Sequence, residues 1–446
     1  MRPERLALHG DLLDVPGDPG FGLPERAAPG AWALREPGLP GVRFRPGHWL
    51  LVEDGRSVAA QPAPPGPDWR RLEHAGRLIT PGFVDTHVHA PQLDVIASHG
   101  GALLDWLATY TFPAEQRYAD PALAEAGAAR FLDALLAHGT TAAVVVPTVH
   151  RASAEALFAG AEARGMRLVT GKVLMDRHVP DGLRDDVEGA ERDCRELIAR
   201  WHGRGRLGYA VTVRFAGSSS PAQLAMAGRL CREHPDAWMQ THVAENRDEV
   251  RWIAELFPEA RSYLDVYDRA GLLHPRAVLA HGIWLDDADR ARLAATGAQV
   301  AFCPSSNLFL GSGLFDWEAA ARAGVRVSMA SDVGAGTSLS MLRTLADGYK
   351  VQALRGLRLS AWKALHAATR GAAEALGLAD EIGSLEPGTR ADLAVWDWAV
   401  GPVARHRDAL ARDLHERVFA WMTLGDERNL VATRVAGRAQ YERSER

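Results

Sequence analysis

The stretch from Thr80 to Gln92 reads Thr-Pro-Gly-Phe-Val-Asp-Thr-His-Val-His-Ala-Pro-Gln. Its apolar start predicts a buried strand over residues 82–89 that ends in two histidines. Residues two apart on a strand point to the same face, so His87 and His89 can reach one metal ion. The chain has 17 histidines, and chance alone gives about one such pair. The meaning of the pair therefore depends on the segments that follow.

Strand-like and helix-like segments alternate after this stretch, which is typical of parallel βα units. Strands are predicted at 82–89, 140–147, 167–175, 208–215, 238–245, 277–282, 299–303 and 325–332. Helices are predicted between them, and two more, at 340–354 and 360–376, follow the last strand. The pattern predicts an α/β fold, namely a (β/α)8 TIM-type barrel of the metal-dependent hydrolase kind.

The two chain ends differ from this pattern. Residues 1–79 are rich in Pro and Gly and carry short apolar runs, which predict short antiparallel strands and loops. Residues 382–396 predict two short strands around a Pro-Gly turn, and residues 431–439 predict another strand. We therefore expect a catalytic barrel at 80–378 and a small β-sandwich domain built from both chain ends, 1–79 and 379–446.

Composition excludes several classes of protein. The 446 residues are 47% hydrophobic and 24% charged, with a net charge of −5, as in an ordinary globular protein. The lack of a basic tract argues against nucleic-acid binding, and no apolar run reaches membrane-spanning length. The N-terminus has no apolar signal core, which predicts a cytoplasmic protein. The three cysteines form no Cys-x-x-Cys pair, so a disulfide framework and a small cytidine-deaminase zinc site are disfavoured.

Polar side chains occupy the ends of several predicted strands, where barrel enzymes carry their functional residues. They are His87, His89, Arg214, His242, Glu245, His281 and Asp332. His87, His89, His242 and Asp332 would give a metal ion three histidine ligands and one aspartate ligand. Such a set leaves a coordination position for water, which is typical of a catalytic zinc site. Iron or manganese could use the same ligands. The ion would activate its water as a nucleophile.

Each of these residues also has a structural explanation. A single buried histidine is more often a core residue than a ligand. Glu245 could cap a helix, Asp332 could cap a turn, and Arg214 could pair with a surface carboxylate. Their common placement at strand ends is what favours function.

Longer phrases carry a family resemblance. They are His-Val-His-Ala-Pro-Gln at 87–92, Tyr-Thr-Phe-Pro-Ala-Glu at 110–115, Arg-Phe at 214–215, Thr-His-Val-Ala-Glu-Asn at 241–246, and Ser-Asp-Val-Gly-Ala-Gly-Thr-Ser at 331–338. With them the sequence resembles the guanine deaminase family of the amidohydrolase superfamily, from about residue 80 to residue 437. Binuclear members carry a lysine after strand four; Arg214 and Phe215 stand there, and Lys172 lies in predicted strand three. The resemblance thus implies a mononuclear member.

The resemblance implies zinc-dependent deamination of guanine to xanthine and ammonia by a homodimer with one zinc ion per chain. The implied zinc ligands are His87, His89, His242 and Asp332. Glu245 is the implied proton shuttle, with His281 and Asp332 beside the metal-bound water. The implied substrate-binding residues are Gln92, Arg214, Phe215 and Trp106. Trp106 is also, with Phe112, a candidate for a lid. The sequence departs from the family pattern at Leu93, Val213 and Gly217.

Two alternatives stay open at this point. The first is a mononuclear aminohydrolase for a related amino-heterocycle, such as 8-oxoguanine, a pterin, cytosine or a triazine. The second is a non-catalytic scaffold of the same fold that has lost its metal. Gln92 and the Arg214-Phe215 pair favour guanine. A redox or phosphate-binding barrel lacks support, because the sequence has neither a dinucleotide fingerprint nor a P-loop.

Overall fold

The computed structural model describes residues 4–22 and 41–444. Its strands are β1 (Arg5–Asp14), β2 (Arg43–Glu53), β3 (Arg56–Gln61), β4 (Arg70–Pro81), β5 (Phe83–His89), β6 (Thr140–Val146), β7 (Arg167–Thr170), β8 (Val173–Leu174), β9 (Leu207–Val213), β10 (Trp238–Val243), β11 (Ala277–His281), β12 (Gln299–Phe302), β13 (Arg326–Met329), β14 (Leu393–Trp396), β15 (Leu430–Val435) and β16 (Arg438–Glu442). Its α-helices are α1 (Leu103–Trp106), α2 (Phe112–Gln116), α3 (Pro121–Leu136), α4 (Arg151–Arg164), α5 (Val187–Trp201), α6 (Pro221–Glu233), α7 (Arg247–Leu256), α8 (Tyr263–Arg269), α9 (Asp287–Thr296), α10 (Pro304–Phe309), α11 (Trp317–Arg322), α12 (Met341–Leu354), α13 (Ala361–Ala367), α14 (Arg370–Ala375), α15 (Pro402–Ala409) and α16 (Leu414–Leu424).

Strands β5 to β13 form the predicted barrel. Their order in the sheet is β5-β6-β7-β9-β10-β11-β12-β13, and β8 pairs with β9. The first strand meets the segment that follows the last one: Asp332 N donates to His87 O at 3.0 Å, and His89 N donates to Val333 O at 2.8 Å. These bonds bring the two ends of the sheet together, and β7 and β8 together serve as its third strand. The (β/α)8 prediction is confirmed.

The third barrel strand is broken, which differs from the continuous strand predicted at 167–175. Gly171 lies at the break, where an added Cβ would sit 2.0 Å from the carbonyl oxygen of Ala210. Lys172 follows, and its Nζ donates to Asp185 Oδ1 at 2.5 Å. Pairing with β9 stops at Thr170 and resumes at Val173, so Gly171 and Lys172 interrupt the strand.

Several helices begin at residues whose side chains satisfy free N–H groups at the first turn. Asp186 caps α5, Ser220 caps α6 in front of Pro221, and Asp286 caps α9. Asn246 caps α7 and forms a capping box with Glu249. This last cap begins α7 immediately after Glu245 and so fixes the backbone of a candidate catalytic residue.

The second sheet contains strands from both chain ends, as predicted. Its seven strands follow the order β16-β15-β14-β4-β1-β2-β3. Strand β4 joins the two ends, because it pairs parallel with β1 and antiparallel with β14. Apolar side chains from both ends share one cluster, including Leu8, Leu50, Ile79, Leu393 and Val395. Burial of these side chains from water holds the sheet together.

Local predictions for the C-terminal part were partly wrong. The range 382–396 contains β14 alone, because the N–H groups of Ile382 and Leu385 donate to Leu378 O and Asp14 Oδ2 instead of to a strand. The range 431–439 contains parts of two strands, β15 and β16. The helix predicted at 360–376 is split into α13 and α14, where Ala368 O accepts from Val84 N at 2.9 Å.

The chain forms two compact units by its internal contacts. One comprises the described chain up to Asp85 together with Asp133–Ala142 and the described chain from Ser340 onward. The other comprises Thr86–Leu132 and Ala143–Leu339, and it holds every candidate site residue. The domain boundaries at residues 79 and 378 stay a prediction. Within the described ranges, every helix is too short or too polar to cross a bilayer.

Candidate active site

Three histidine side chains converge on one point. The Nε2 atoms of His87, His89 and His242 lie 3.1 to 3.2 Å from one another. Asp332 Oδ1 lies 3.4 Å from Nε2 of His87 and 3.3 Å from Nε2 of His89. The structure thus brings together the four residues that the sequence indicated as metal ligands, and their donor atoms all lie within 4.8 Å of one another.

The fold orients each donor. His87 and His89 lie on β5 and His242 on β10, at the carboxyl ends of their strands. His242 Nδ1 donates to Arg214 O at 2.6 Å, which directs the Nε2 lone pair of His242 to the centre of the group. Asp332 follows β13 and has a φ of 50°. A left-handed backbone at a residue other than glycine is uncommon and clusters at functional sites.

The donor set fits a divalent cation. Burial lowers the pKa of His89 to about 3. Burial, followed by the charges of His87 and His89, lowers the pKa of His242 well below its ordinary value. Burial alone would raise the pKa of Asp332, but hydrogen bonds from His87 and His89 hold it well below its usual range. The neutral imidazoles of His89 and His242 and the carboxylate of Asp332 are therefore ready to bind metal. Zinc–nitrogen bonds of about 2.0–2.1 Å place tetrahedral ligands about 3.3 Å apart, close to the observed spacing.

His281 and Glu245 lie beside this group. His281 Nε2 is 3.7 Å from Asp332 Oδ2 and 3.4 Å from Glu245 Oε2. Burial, and then the charge of Asp332, raises the pKa of Glu245 to about 8. A carboxyl group with a pKa near neutrality can both take up and release a proton during a reaction. The predicted catalytic residues therefore share one buried space with the metal-binding group.

Three further residues hold His281 and Glu245 in place, and the sequence had assigned none of them a role. Asn307 Oδ1 lies 2.9 Å from His281 Nδ1. Ser312 Oγ donates to Glu245 Oε1 at 3.1 Å. Glu249 Oε2 accepts from the backbone N of Glu245 at 3.0 Å. Asn307 ends the stretch Cys-Pro-Ser-Ser-Asn at residues 303–307, and only its tertiary contact shows what it touches.

A cavity opens on the metal-binding group. It is lined by His89, Gln92, Leu103, Trp106, Leu107, Arg214, Phe215, His242, Glu245, Glu249, His281, Leu310, Asp332 and Ala335. All four predicted substrate-binding residues are among them. Phe112, the second lid candidate, packs in the neighbouring apolar cluster with Leu103, Trp106 and Leu107. The mixture of apolar walls and a few fixed polar groups suits a small planar molecule.

Phe215 is held by an aromatic neighbour. The ring centroids of Phe215 and Trp252 lie 5.8 Å apart. A Cβ on Gly217 would lie 2.5 Å from the Phe215 ring and 2.6 Å from the Trp252 ring. Gly217, a departure from the family pattern, thus leaves the space in which these two rings meet.

Glu115 is a functional candidate that the sequence did not single out. Its side chain is fully buried, and Oε1 accepts from Arg214 Nη1 at 2.7 Å. The same oxygen accepts from Gln92 Nε2 at 3.4 Å. Glu115 lies in the Tyr-Thr-Phe-Pro-Ala-Glu phrase, and that membership was the one available signal. A glutamate on a helix such as α2 needs no functional explanation, so the sequence alone gave no further reason to single out Glu115.

Lys172 does not reach the metal-binding group. Its Nζ donates to Asp185 Oδ1 and to Val173 O, so its charge is used elsewhere in the fold. The residues that follow β9 are Arg214 and Phe215, as the sequence indicated. A second set of close donor atoms, on His281, Cys303 and Asp332, shares Asp332 with the first. The structure is consistent with one metal ion held by the first set.

The barrel and its histidine–aspartate group define a metal-dependent hydrolase, and residues 78–439 match the Amidohydrolase family. The chain belongs to this family.

Within the family the chain is similar to guanine deaminases. It is 47% identical over 379 residues to the guanine deaminase of Escherichia coli (strain K12), covering 85% of this chain and 86% of that protein. It is 43% identical over 333 residues to a probable guanine deaminase of Deinococcus radiodurans, and the match covers 74% of this chain and 76% of that protein. The solved structure of E. coli guanine deaminase superposes on this chain with a TM-score of 0.91 and is 42% identical in sequence. The match covers 98% of this chain and 100% of that chain.

Proposed function

We propose that this chain is a zinc-dependent guanine deaminase that hydrolyses guanine to xanthine and ammonia. One observation carries the proposal: His89, His242 and Asp332 of the three-histidine, one-aspartate group line the same cavity as Glu245, Gln92 and Arg214. The similarity to guanine deaminases supports the same substrate. The mononuclear donor set supports one zinc ion per chain.

The chemistry of the cavity matches that of a purine. Guanine is flat, and it offers a carbonyl oxygen and ring nitrogens at its edges. The guanidinium of Arg214 and the amide of Gln92 can donate to those acceptors. Phe215 supplies an aromatic surface, and Leu103 and Leu107 supply apolar contacts. Trp106 lines the cavity with 1% of its surface exposed, a position from which it can exclude water.

The reaction needs a nucleophile and a path for protons. A divalent ion held by His87, His89, His242 and Asp332 supplies, when bound, a water activated for attack at neutral pH. Ionised Glu245 takes one proton from the attacking water and delivers it to the ring nitrogen next to C2, and it later passes the second proton of the water to the departing amine. His281 and Asp332 orient the attacking water and accept its remaining proton. Addition of one water and loss of one ammonia convert guanine to xanthine.

The test is an ultraviolet assay of purified, metal-analysed protein with guanine, together with detection of ammonia. We expect conversion of guanine to xanthine by protein that carries about one zinc per chain. A zinc-loaded protein inert toward guanine but active on another amino-heterocycle would reassign the substrate. A metal-free, inert protein would support the scaffold alternative. The homodimer and the cytoplasmic location stay predictions.

A further inference from the structure

The amide of Gln92 lies between two partners of fixed polarity. The backbone N–H of Gly334 donates to Gln92 Oε1 at 3.2 Å. Gln92 Nε2 donates to Glu115 Oε1 at 3.4 Å. A backbone N–H cannot accept a hydrogen bond. The oxygen of Glu115 also receives a bond from Arg214 Nη1 at 2.7 Å, so this oxygen is an acceptor whether or not the carboxyl group is ionised.

These four residues, Gln92, Glu115, Arg214 and Gly334, form what we call the amide clamp. The side chains of the clamp are buried: Gln92 is 2% exposed, Glu115 0% and Arg214 3%. Gly334 is required for the close approach, since an added Cβ would lie 2.4 Å from the backbone oxygen of Gln92. A rotated Gln92 amide would place N–H against N–H at Gly334 and oxygen against oxygen at Glu115. The clamp therefore allows one orientation of the amide.

The orientation decides what the cavity offers to a ligand. Glu115 accepts one hydrogen of the Gln92 amide nitrogen, and the second hydrogen is available to an acceptor in the cavity. Arg214 has further N–H groups beyond the one directed at Glu115, and it carries no acceptor. Gln92 and Arg214 both line the cavity. This side of the cavity consequently presents hydrogen-bond donors.

We infer that Glu115 is a positioning residue that turns the Gln92 amide and thereby selects purines with acceptors on the edge that meets Gln92 and Arg214. The inference rests on the proposed guanine deaminase function. Guanine has a carbonyl at position 6, whereas 2,6-diaminopurine has an amino group there. An amino group would bring N–H groups against N–H groups and leave buried donors without partners, which is costly. The clamp thus selects 6-oxo over 6-amino purines.

A simpler role for Glu115 is that of a counter-ion to buried Arg214. The two roles differ in what Glu115→Asp should do. An aspartate keeps the negative charge near Arg214, but its shorter side chain withdraws the acceptor from Gln92, which already lies at 3.4 Å. A counter-ion role predicts unchanged selectivity in this variant. A positioning role predicts lower selectivity.

The experiment compares guanine with 2,6-diaminopurine in metal-loaded wild type and in Glu115→Asp, Glu115→Met and Glu115→Gln. The measured quantities are kcat, KM and the ratio of kcat/KM for the two purines. We expect the Asp and Met variants to raise KM for guanine about tenfold or more, and to lower the ratio about tenfold, with a smaller change in kcat. Glu115→Gln keeps an acceptor oxygen and should retain most of the ratio. Glu125→Met, on the exposed face of α3, is the matched control.

Folding and metal content are checked by thermal melting and metal analysis. If Glu115→Met does not fold, Glu115→Asp decides the question, because it preserves the charge next to Arg214. Wild-type selectivity and wild-type KM in a folded Asp variant would overturn the positioning role while leaving the proposed function intact. Wild-type protein that is metal-loaded and inert toward guanine would overturn both proposals.

Discussion

Ser312 donates a hydrogen bond from Oγ to Oε1 of Glu245 at 3.1 Å, and both side chains are buried. The other carboxylate oxygen of Glu245 lies 3.4 Å from His281 Nε2. The hydroxyl therefore fixes the orientation of the Glu245 carboxylate, with its second oxygen toward His281. It also favours the ionised carboxylate, because a donor stabilises the charged form.

The first prediction concerns the pH dependence of Ser312→Ala. Burial raises the pKa of Glu245, and the Ser312 hydrogen bond opposes that rise. Loss of the bond should raise the pKa further, so the ionised fraction at a given pH falls. We expect the ascending limb of kcat/KM against pH to move to higher pH by about one unit. Ser312→Thr, which keeps a hydroxyl, should shift less. An unmoved limb in a folded Ala variant would exclude this role for Ser312.

The second prediction concerns Glu245→Gln. The amide keeps the size of the side chain and the bond to Ser312, but it cannot carry a proton between substrate atoms. We expect kcat to fall about 10²- to 10⁴-fold, with metal content equal to that of the wild type. Steady-state assays and metal analysis check both parts, with Glu125→Gln as an exposed control. Wild-type turnover would remove Glu245 from the mechanism.

The third prediction concerns Asn307, which contacts His281 Nδ1 at 2.9 Å. In Asn307→Leu the imidazole loses the acceptor that fixes its tautomer and its ring orientation. We expect kcat/KM to fall about 10- to 100-fold, the usual effect of removing an outer partner of a site histidine. Asn307→Asp keeps the acceptor and should lose less. Equal losses in both variants would argue against orientation of His281 as the cause.

The fourth prediction concerns the buried pair of Arg214 and Glu115. Arg214→Ala should raise KM for guanine, but it should also leave a buried carboxylate without its partner. We expect the free energy of unfolding to fall by about 3–5 kcal/mol. The double variant Arg214→Met with Glu115→Met should recover much of this loss without recovering KM. Thermal melting separates the two effects, and equal stability of the single and double variants would contradict the account.

The fifth prediction concerns Asp332, the carboxylate of the metal-binding group. Asp332→Ala should weaken metal binding by about 100-fold or more, since even outer partners of ligands contribute 10- to 100-fold. Activity should be lost while far-ultraviolet circular dichroism is unchanged. Competition with a chelator measures the metal affinity. Metal binding and turnover equal to those of the wild type would exclude Asp332 as a ligand.

The candidate metal site could be predicted from sequence because the barrel fold itself determines it. Parallel strands deliver their carboxyl ends to one face, so polar residues at the ends of β5, β10 and β11 must meet there. Asp332 was predicted by the same reasoning, although it lies beyond Met329, the last residue of β13. Its side chain reaches the group through a left-handed backbone that the sequence did not indicate.

The supporting residues could not be predicted, because each acts across a large separation in sequence. Glu115 meets Arg214 from 99 positions away. Ser312 meets Glu245 from 67 positions away. No local pattern marks such pairs: a glutamate on a short helix and a serine in a loop are ordinary residues there. The break at Gly171 was missed for a similar reason, since it depends on the backbone of Ala210.

By itself the sequence determined the barrel, the sheet from both chain ends and which side chains to propose as metal ligands. These follow from hydrophobic periodicity and from where polar residues interrupt it, and both are properties of neighbouring positions. The tertiary structure alone decided how the site is held: how the Glu245 carboxylate is oriented between Ser312 and His281, and which way the Gln92 amide points. Those choices depend on hydrogen-bond partners that only folding brings within reach, and in a buried site each donor and acceptor must find one.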